Sequence, residues 1–287
     1  MSIPELIKTV SAMQKQADLW RLEVQRIALV PTMGYLHAGH LSLVEHAQDH
    51  GDRCVVSIFV NPLQFGPQED LSVYPRDLER DLHLLARYDV DAVFTPQASD
   101  FYPPSFSTRV EVDTLTDGLC GRSRPGHFRG VTTVVTKLFT AVKPHVAIFG
   151  QKDYQQAAVI RRMVADLNLD VEVSVAPTVR EKDGLAMSSR NIRLSEEERR
   201  RAPVLYRSLQ QARDQIEAGH RDAKQIIHAI RSEIERELRS NIDYIAIVDP
   251  ETLEERSYIA SPVVIALAVR LPTVRLIDNI SAIPPER

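Results

Sequence analysis

Five short apolar runs alternate with amphipathic helical patterns over the first part of the chain, and this alternation restricts the fold more than any other feature. The runs are Arg26–Val30, Arg53–Val60, Asp91–Thr95, Val146–Phe149 and Val171–Val175. Helical spacing lies between them at Leu41–His50, Leu78–Tyr88, Val131–Val142 and Tyr154–Leu167. A stripe of Leu6, Val10, Met13, Ala17 and Trp20 adds an opening helix. Near-continuous apolar strands are those covered on both faces. Strand–helix alternation therefore predicts a Rossmann-like α/β fold, a doubly wound parallel sheet. From Ser195 the order changes, with Ser195 and Glu198 reading as a capping box. Two helical patterns, Glu196–Gly219 and Asp222–Arg239, precede three strand-like runs, Asp243–Val248, Val263–Val269 and Val274–Ile280. Helices followed by strands predict a smaller α+β C-terminal domain with an antiparallel sheet. With the change of pattern near Pro177–Asn191, the expected domains are 1–178 and 179–287.

Ligands of doubly wound sheets bind beyond the carboxyl ends of the strands, so the loops there are the candidates for chemistry. The first reads Pro31-Thr32-Met33-Gly34-Tyr35-Leu36-His37-Ala38-Gly39-His40, with two histidines three residues apart. If its second half is the first turn of a helix, His37 and His40 share a face. Backbone N–H groups and the positive end of the helix dipole then favour an anion, and imidazoles can donate to phosphate oxygens. This stretch reads as a nucleotide site.

The later loops carry further candidates. Asn61 and Gln64 either orient a substrate's hydroxyl or carboxylate or belong to plain Asn-Pro turn chemistry. Asp77 and Asp81, four apart on a helix, either approach a magnesium ion on phosphates or form a solvated acidic face. The segment Gly121–Gly130 carries Arg122, Arg124, His127 and Arg129 just before a helix, suiting either an anionic ligand or a basic surface loop. In Gly150–Gln156, Gly150 admits a ligand to the backbone, Lys152 offers a phosphate partner, and Asp153 caps a helix or binds a ribose. Gln155 and Gln156 follow on the first helical turn. Ser188, Ser189 and Arg190 combine hydroxyls with a guanidinium, a clamp suited to polyphosphate.

The bulk properties exclude some partners. Net charge is −4 despite 35 Lys and Arg, and no basic block is present to grip a nucleic-acid backbone. No apolar run reaches membrane-spanning length. Glu5, Lys8, Lys15 and Asp18 interrupt any secretory signal, so the cytoplasm is the expected location. Cys54 and Cys120 are far apart and form no metal-ligand pair; Cys54 is expected to pack as a small hydrophobe.

Taken together, the motifs resemble one family. Pro-Thr-Met-Gly-x-Leu-His-x-Gly-His at 31–40 resembles the HxGH signature of the nucleotidylyl-transferase superfamily. Its companions are Phe-Val-Asn-Pro-x-Gln-Phe (59–65), Tyr-Pro-Arg (74–76) and Arg-Pro-Gly-His-Phe-Arg-Gly-Val (124–131). Phe-Gly-x-Lys-Asp-Tyr-Gln-Gln (149–156) and Asp-Gly-Leu-Ala-Met-Ser-Ser-Arg-Asn (183–191) complete the set, which resembles the pantoate–β-alanine ligases. The resemblance runs from the first strand to Arg-Leu-Ile-Asp-Asn at 275–279. It implies ATP-dependent joining of pantoate to β-alanine through a pantoyl adenylate, with release of pyrophosphate and AMP.

It further implies that Met33, Gly34, Tyr35, Leu36, His37, Ala38, Gly39 and His40 hold ATP, with His40 catalytic and His37 beside it on the phosphates. Gln64 would contact pantoate and β-alanine, and Gln156 pantoate. Gly150, Gln151, Lys152 and Asp153 would hold adenosine and phosphates, Val179 the adenine region, and Met187, Ser188, Ser189 and Arg190 the polyphosphate. Asp81 would lie on the magnesium side, and the protein would be a homodimer. The chain departs from the family pattern at Gln151, often Glu, and at Cys120, where an acidic residue is more usual. Other adenylyltransferases of this scaffold transfer AMP to a phosphate and have no need of Asn61, Gln64 and Gln156 around a small acid. A non-catalytic nucleotide-binding protein would have no need of the intact histidines, Lys152 and Ser-Ser-Arg.

Overall fold

The computed structural model describes residues 3–67 and 69–286. The chain divides into two compact units. The first runs to Asp113 and adds Arg124–Gln151 and Gln156–Pro177; the second comprises Thr114–Ser123, Lys152–Gln155 and the chain from Thr178 onward.

The first unit is built on a parallel sheet, six-stranded among the described residues. Its centre is β2 (Ile27–Thr32), flanked by β3 (Arg53–Ile58) with Ile27 opposite Arg53, and by β5 (Val146–Gly150) with Ala28 opposite Val146. Outside β3 lie β4 (Ala92–Phe94) and then β1 (Glu5–Ile7), and outside β5 lies β6 (Glu172–Ala176). The chain steps one way from β2 through β4 and the other way through β5 and β6. The direction of winding thus reverses beside β2, which makes the carboxyl ends of β2 and β5 the switch point where such sheets bind ligands. Ala28, Leu29 and Val30 are fully buried, as their unbroken apolar run requires. Each buried Val or Leu contributes about 1.5–3 kcal/mol before the entropy of ordering is counted.

Short helices connect the strands. They are α1 (Val10–Leu22), α2 (Ala38–Gln48), α3 (Leu78–Leu85), α4 (Ala98–Phe101), α5 (Leu119–Ser123), α6 (His127–Val142) and α7 (Tyr154–Asp166). Helices α4 and α5 were not expected from the sequence, and α1, α2 and α6 begin elsewhere than expected. Leu6 lies in β1 and not on the opening helix, because residues 5–7 pair with β4 and Thr9 then caps α1 through Ala12 N–H at 3.2 Å. A three-residue strand is too short to show a period of two. Helix α6 starts four residues earlier than its apolar spacing suggests, so His127 and Arg129 sit on its first turn.

In the second unit, α8 (Glu196–Arg201), α9 (Val204–Glu217) and α10 (Ala223–Glu237) precede an antiparallel sheet of β7 (Asn241–Val248), β8 (Val263–Arg270) and β9 (Arg275–Ala282). The single helix expected at 196–219 is broken at Pro203, which has no N–H to continue the ladder. The capping box forms as expected, Glu198 N–H reaching Ser195 Oγ at 3.2 Å and Ser195 N–H reaching Glu198 Oε2 at 2.8 Å. Leu205, Leu209 and Ile216 of α9 and Ile226, Ile230 and Ile234 of α10 share one core with Ile245, Ile265 and Leu267 of the sheet.

Candidate functional site

The loop after β2 is built by its own hydrogen bonds. Gly34 takes a left-handed backbone, φ +79°, and donates its N–H to Thr32 Oγ1 at 3.1 Å. A Cβ on Gly34 would lie 2.9 Å from Ile58 and 3.1 Å from the Asp81 carboxylate, so both backbone conformation and space require glycine. His37 caps α2. Its Nδ1 accepts from Gly39 N–H at 3.1 Å, and His40 Nδ1 accepts from His37 N–H at 3.4 Å. The two rings lie 4.1 Å apart, centroid to centroid, at 36°. Each Nδ1 is an acceptor, so the hydrogen-bond network places a ring proton of each histidine on Nε2.

Asp81 answers where the remaining N–H groups point. It is 1% exposed, and its oxygens accept from Tyr35 N–H and Leu36 N–H, each at 2.7 Å. Arg80 approaches the same carboxylate at 3.3 Å and stacks over the Tyr35 ring at 4.8 Å. Two expectations change as a result. Asp81 does not belong to a solvated acidic face, because it is buried and its oxygens accept from the loop. The N–H groups of residues 34 to 37 are occupied within the protein. They therefore form no open nest for phosphate. Burial raises the Asp81 pKa, opposed by the Leu36 and Tyr35 N–H groups and by Arg80. Asp77, paired with Asp81 in the sequence reading, caps α3 by accepting from Arg80 N–H at 3.0 Å. Among the described residues no group of three or more His, Cys, Asp or Glu is placed to hold a metal ion.

Gln64 closes a 3-10 turn, Pro62–Gln64, capped by Asn61. Its side chain donates to Met33 Sδ at 3.1 Å and accepts from Asn61 Nδ2 at 3.0 Å, which joins the first two strand-end loops. Asn61, 1% exposed, also donates to Gly130 O and accepts from Tyr102 Oη at 2.9 Å. On the other side, Gln64 O accepts from His127 Nδ1 at 2.8 Å and from Arg124 at 3.3 Å, and Arg124 is held in a fork by Glu69. Gly130 lets α6 reach this turn, since a Cβ there would come within 2.3 Å of Leu63 O. Gln64 is thus fixed through both backbone and side chain. Tyr102 was not visible as a site residue, because its contact with Asn61 spans 41 positions of sequence.

Met33–His40, Gln64, Asp81, Gly150, Gln151 and Gln156 belong to the first unit. Gly150 ends β5, and a Cβ on it would approach Leu43 of α2 at 4.0 Å, so the two sides of the switch point adjoin. Gln156 is half-buried on α7. Its neighbour Gln155 has a structural task, donating to Leu115 O and Gly118 O and accepting from Cys120 N–H.

Lys152, Asp153, Val179 and Met187–Arg190 belong to the second unit. There β9 ties them together. Lys152 O accepts from Asn279 Nδ2 at 2.9 Å, and the adjacent Asp278 binds Arg180 in a two-pronged pair at 2.7 and 2.9 Å. Arg180 also stacks on Tyr206 at 3.6 Å. Met187 N–H returns to Val179 O at 3.0 Å, closing a hairpin, and directly after it Ser188 Oγ accepts from Arg190 N–H at 3.2 Å. Burial pushes the Asp278 pKa up, and Arg180 pulls it down. Arg122, on α5, pairs with Glu255 at 3.7 Å on an exposed surface.

A doubly wound parallel sheet with a two-histidine loop at its switch point has the form of a nucleotide-binding α/β protein. The family model for pantoate-beta-alanine ligase matches residues 5–281, and the chain belongs to that family. The pantothenate synthetase of Thermotoga petrophila is 55% identical over 96% of this chain and 98% of its own. The crystal structure of pantothenate synthetase from Thermus thermophilus superposes with a TM-score of 0.92 at 47% identity, covering 98% of this chain and 100% of that one. The pantoate-beta-alanine ligase of Francisella tularensis, solved in complex with beta-gamma ATP and beta-alanine, superposes at 0.80 with 34% identity over 96% of this chain and 97% of its own.

Proposed function

We propose that this chain condenses pantoate with β-alanine in two steps at the expense of ATP. The pantoate carboxylate attacks the α-phosphate, forming pantoyl adenylate and releasing pyrophosphate. The β-alanine amine then attacks the acyl carbon, AMP leaves with the bonding electrons, and the amine loses a proton to give the amide. Adenylation supplies the leaving group that a carboxylate lacks. A carboxylate nucleophile needs no general base, so catalysis rests on position and charge.

The observation that carries this reading is the paired capping of His37 and His40. With Nδ1 of each ring held by a backbone N–H, both rings carry the proton at Nε2, as fixed donors for phosphate oxygens gaining charge. His40 acts on the α-phosphate side and His37 beside it. Met33–His40, Gly150–Asp153, Val179 and Met187–Arg190 bind ATP, with Lys152 and Arg190 as cations for its phosphates. Gln64, held by Asn61 and Met33, meets both small acids, and Gln156 meets pantoate. Magnesium enters with ATP as its counter-ion; the engaged carboxylate of Asp81 does not fit a protein ligand for it, and no protein-held metal is assigned. The expected organisation is a cytoplasmic homodimer with domains at 1–178 and 179–287.

Pyrophosphate–ATP exchange with pantoate present and β-alanine absent tests the first step, and exchange is expected. The complete reaction should yield AMP; appearance of ADP would rule out the adenylate. Light scattering at defined concentration tests the dimer.

A further inference from the structure

We infer that the cleft at the start of α6 holds the carboxylate of the amine substrate, with Arg129 as its cationic partner; this deepens the ligase reading above and rests on it. The cleft has a volume of about 240 Å³ and is lined by Gln64, Arg109, His127, Arg129 and Gly130 among others. It is ample for a three-carbon amino acid and several waters at about 30 Å³ each.

The second step requires a zwitterion to present its amine to the adenylate while its carboxylate takes no part. A carboxylate is met best by a charged donor, and a guanidinium binds it through two parallel hydrogen bonds. The cations near Gln64 narrow the choice. Arg124 is engaged by Glu69 and donates to His127 and Gln64 O. Arg80 pairs with Asp81 beneath Tyr35. Arg109 stacks on Phe106 and donates to Thr108 O. His127 is engaged at both ring nitrogens, Nδ1 with Gln64 O and Nε2 with Arg124. The Arg129 guanidinium has no hydrogen-bond or ion-pair partner among the described residues. It projects from the first turn of α6, which begins after Gly126, φ +80°. Gln64, which the ligase reading assigns to the amine substrate, lines the cleft as well.

The test separates the two half-reactions. In Arg129→Gln, exchange measured with pantoate and no amine should stay within about twofold of the unsubstituted enzyme. The KM for β-alanine should rise about tenfold or more, the loss expected for a hydrogen bond to a charged group. The KM for β-alaninamide, which lacks the carboxylate, should be unchanged, and Arg129→Lys should restore part of the loss. An unaltered β-alanine KM overturns the inference. So does a rise in pantoate KM or a fall in exchange that matches the amine effect, because Arg129 would then act on the first step or on folding. Absence of exchange in the unsubstituted enzyme would sink the ligase mechanism itself, and this site with it.

Discussion

Asp81 accepts the backbone N–H of Tyr35 at 2.7 Å, and through this contact a carboxylate of the fold occupies donors that would otherwise face a ligand. Together with the equal bond from Leu36, it holds the segment that turns from β2 into the two histidines. Loop shape and phosphate recognition are therefore divided between different groups. Asp81 and Thr32 hold the backbone, and the ligase reading leaves the charge to the imidazoles.

Replacing Asp81 by Ala leaves two N–H groups without an acceptor in a buried place. The expected loss is about 1–3 kcal/mol per unsatisfied group. Thermal unfolding should fall accordingly, and pyrophosphate exchange should drop through kcat. Asp81→Asn keeps the shape but sets an amide against an N–H donor, so it should recover only part of either. If Asp81→Asn matched the unsubstituted protein in both measurements, the loop-holding role would be wrong.

His40→Ala should reduce the adenylation rate by about 10²–10³, the cost of removing one donor aimed at developing charge. Pantoate binding, followed by calorimetry, should change far less. Equal losses in rate and binding would point to a structural role in capping α2.

Gly130→Ala adds a methyl group at 2.3 Å from Leu63 O, where the neighbour is backbone and has no side chain to swing aside. Overpacking of this kind costs about 1–3 kcal/mol. Helix α6 or the turn carrying Gln64 must move, so KM for pantoate and β-alanine should rise together with the fall in melting temperature. A stable variant with unchanged KM values would show that Gln64 is not positioned by this contact.

Asp249 follows β7 and accepts from Arg256 at 2.8 Å, Glu251 N–H at 2.9 Å and Thr252 N–H at 3.0 Å. Arg256, then the Thr252 and Glu251 N–H groups, hold its carboxyl well below the usual range. A depressed folded pKa stabilises above the unfolded value, about 3.9 for Asp, and the contribution is lost as pH falls from there towards the folded value. Denaturant titrations should show a shallower loss of stability below about pH 4 in Asp249→Asn than in the unsubstituted protein. Parallel pH profiles would contradict the assignment.

Cys54 shows how far local sequence reached. Its place in an apolar run predicts a packed thiol, and at 2% exposure burial, then Asp91, pushes its pKa up to about 12. The strands, most of the helices and the two-histidine loop were legible for the same reason. Period, run length and the spacing of cap residues are set by neighbours within a few positions. Asp81, Tyr102, Gly130 and the Arg180–Asp278 pair were not legible as what they are, since their partners lie 45, 41, 67 and 98 positions away respectively. One signal was available for Asp278, a charge within the apolar strand Arg275–Ala282, where a buried carboxylate demands a partner. By itself the sequence determined the order of strands and helices and the loop that bears the histidines, because these follow from local periodicity and backbone chemistry. Only the tertiary structure decided that the loop's backbone donors are filled from within, because a buried N–H takes whichever acceptor the fold brings to it, and here that acceptor is Asp81.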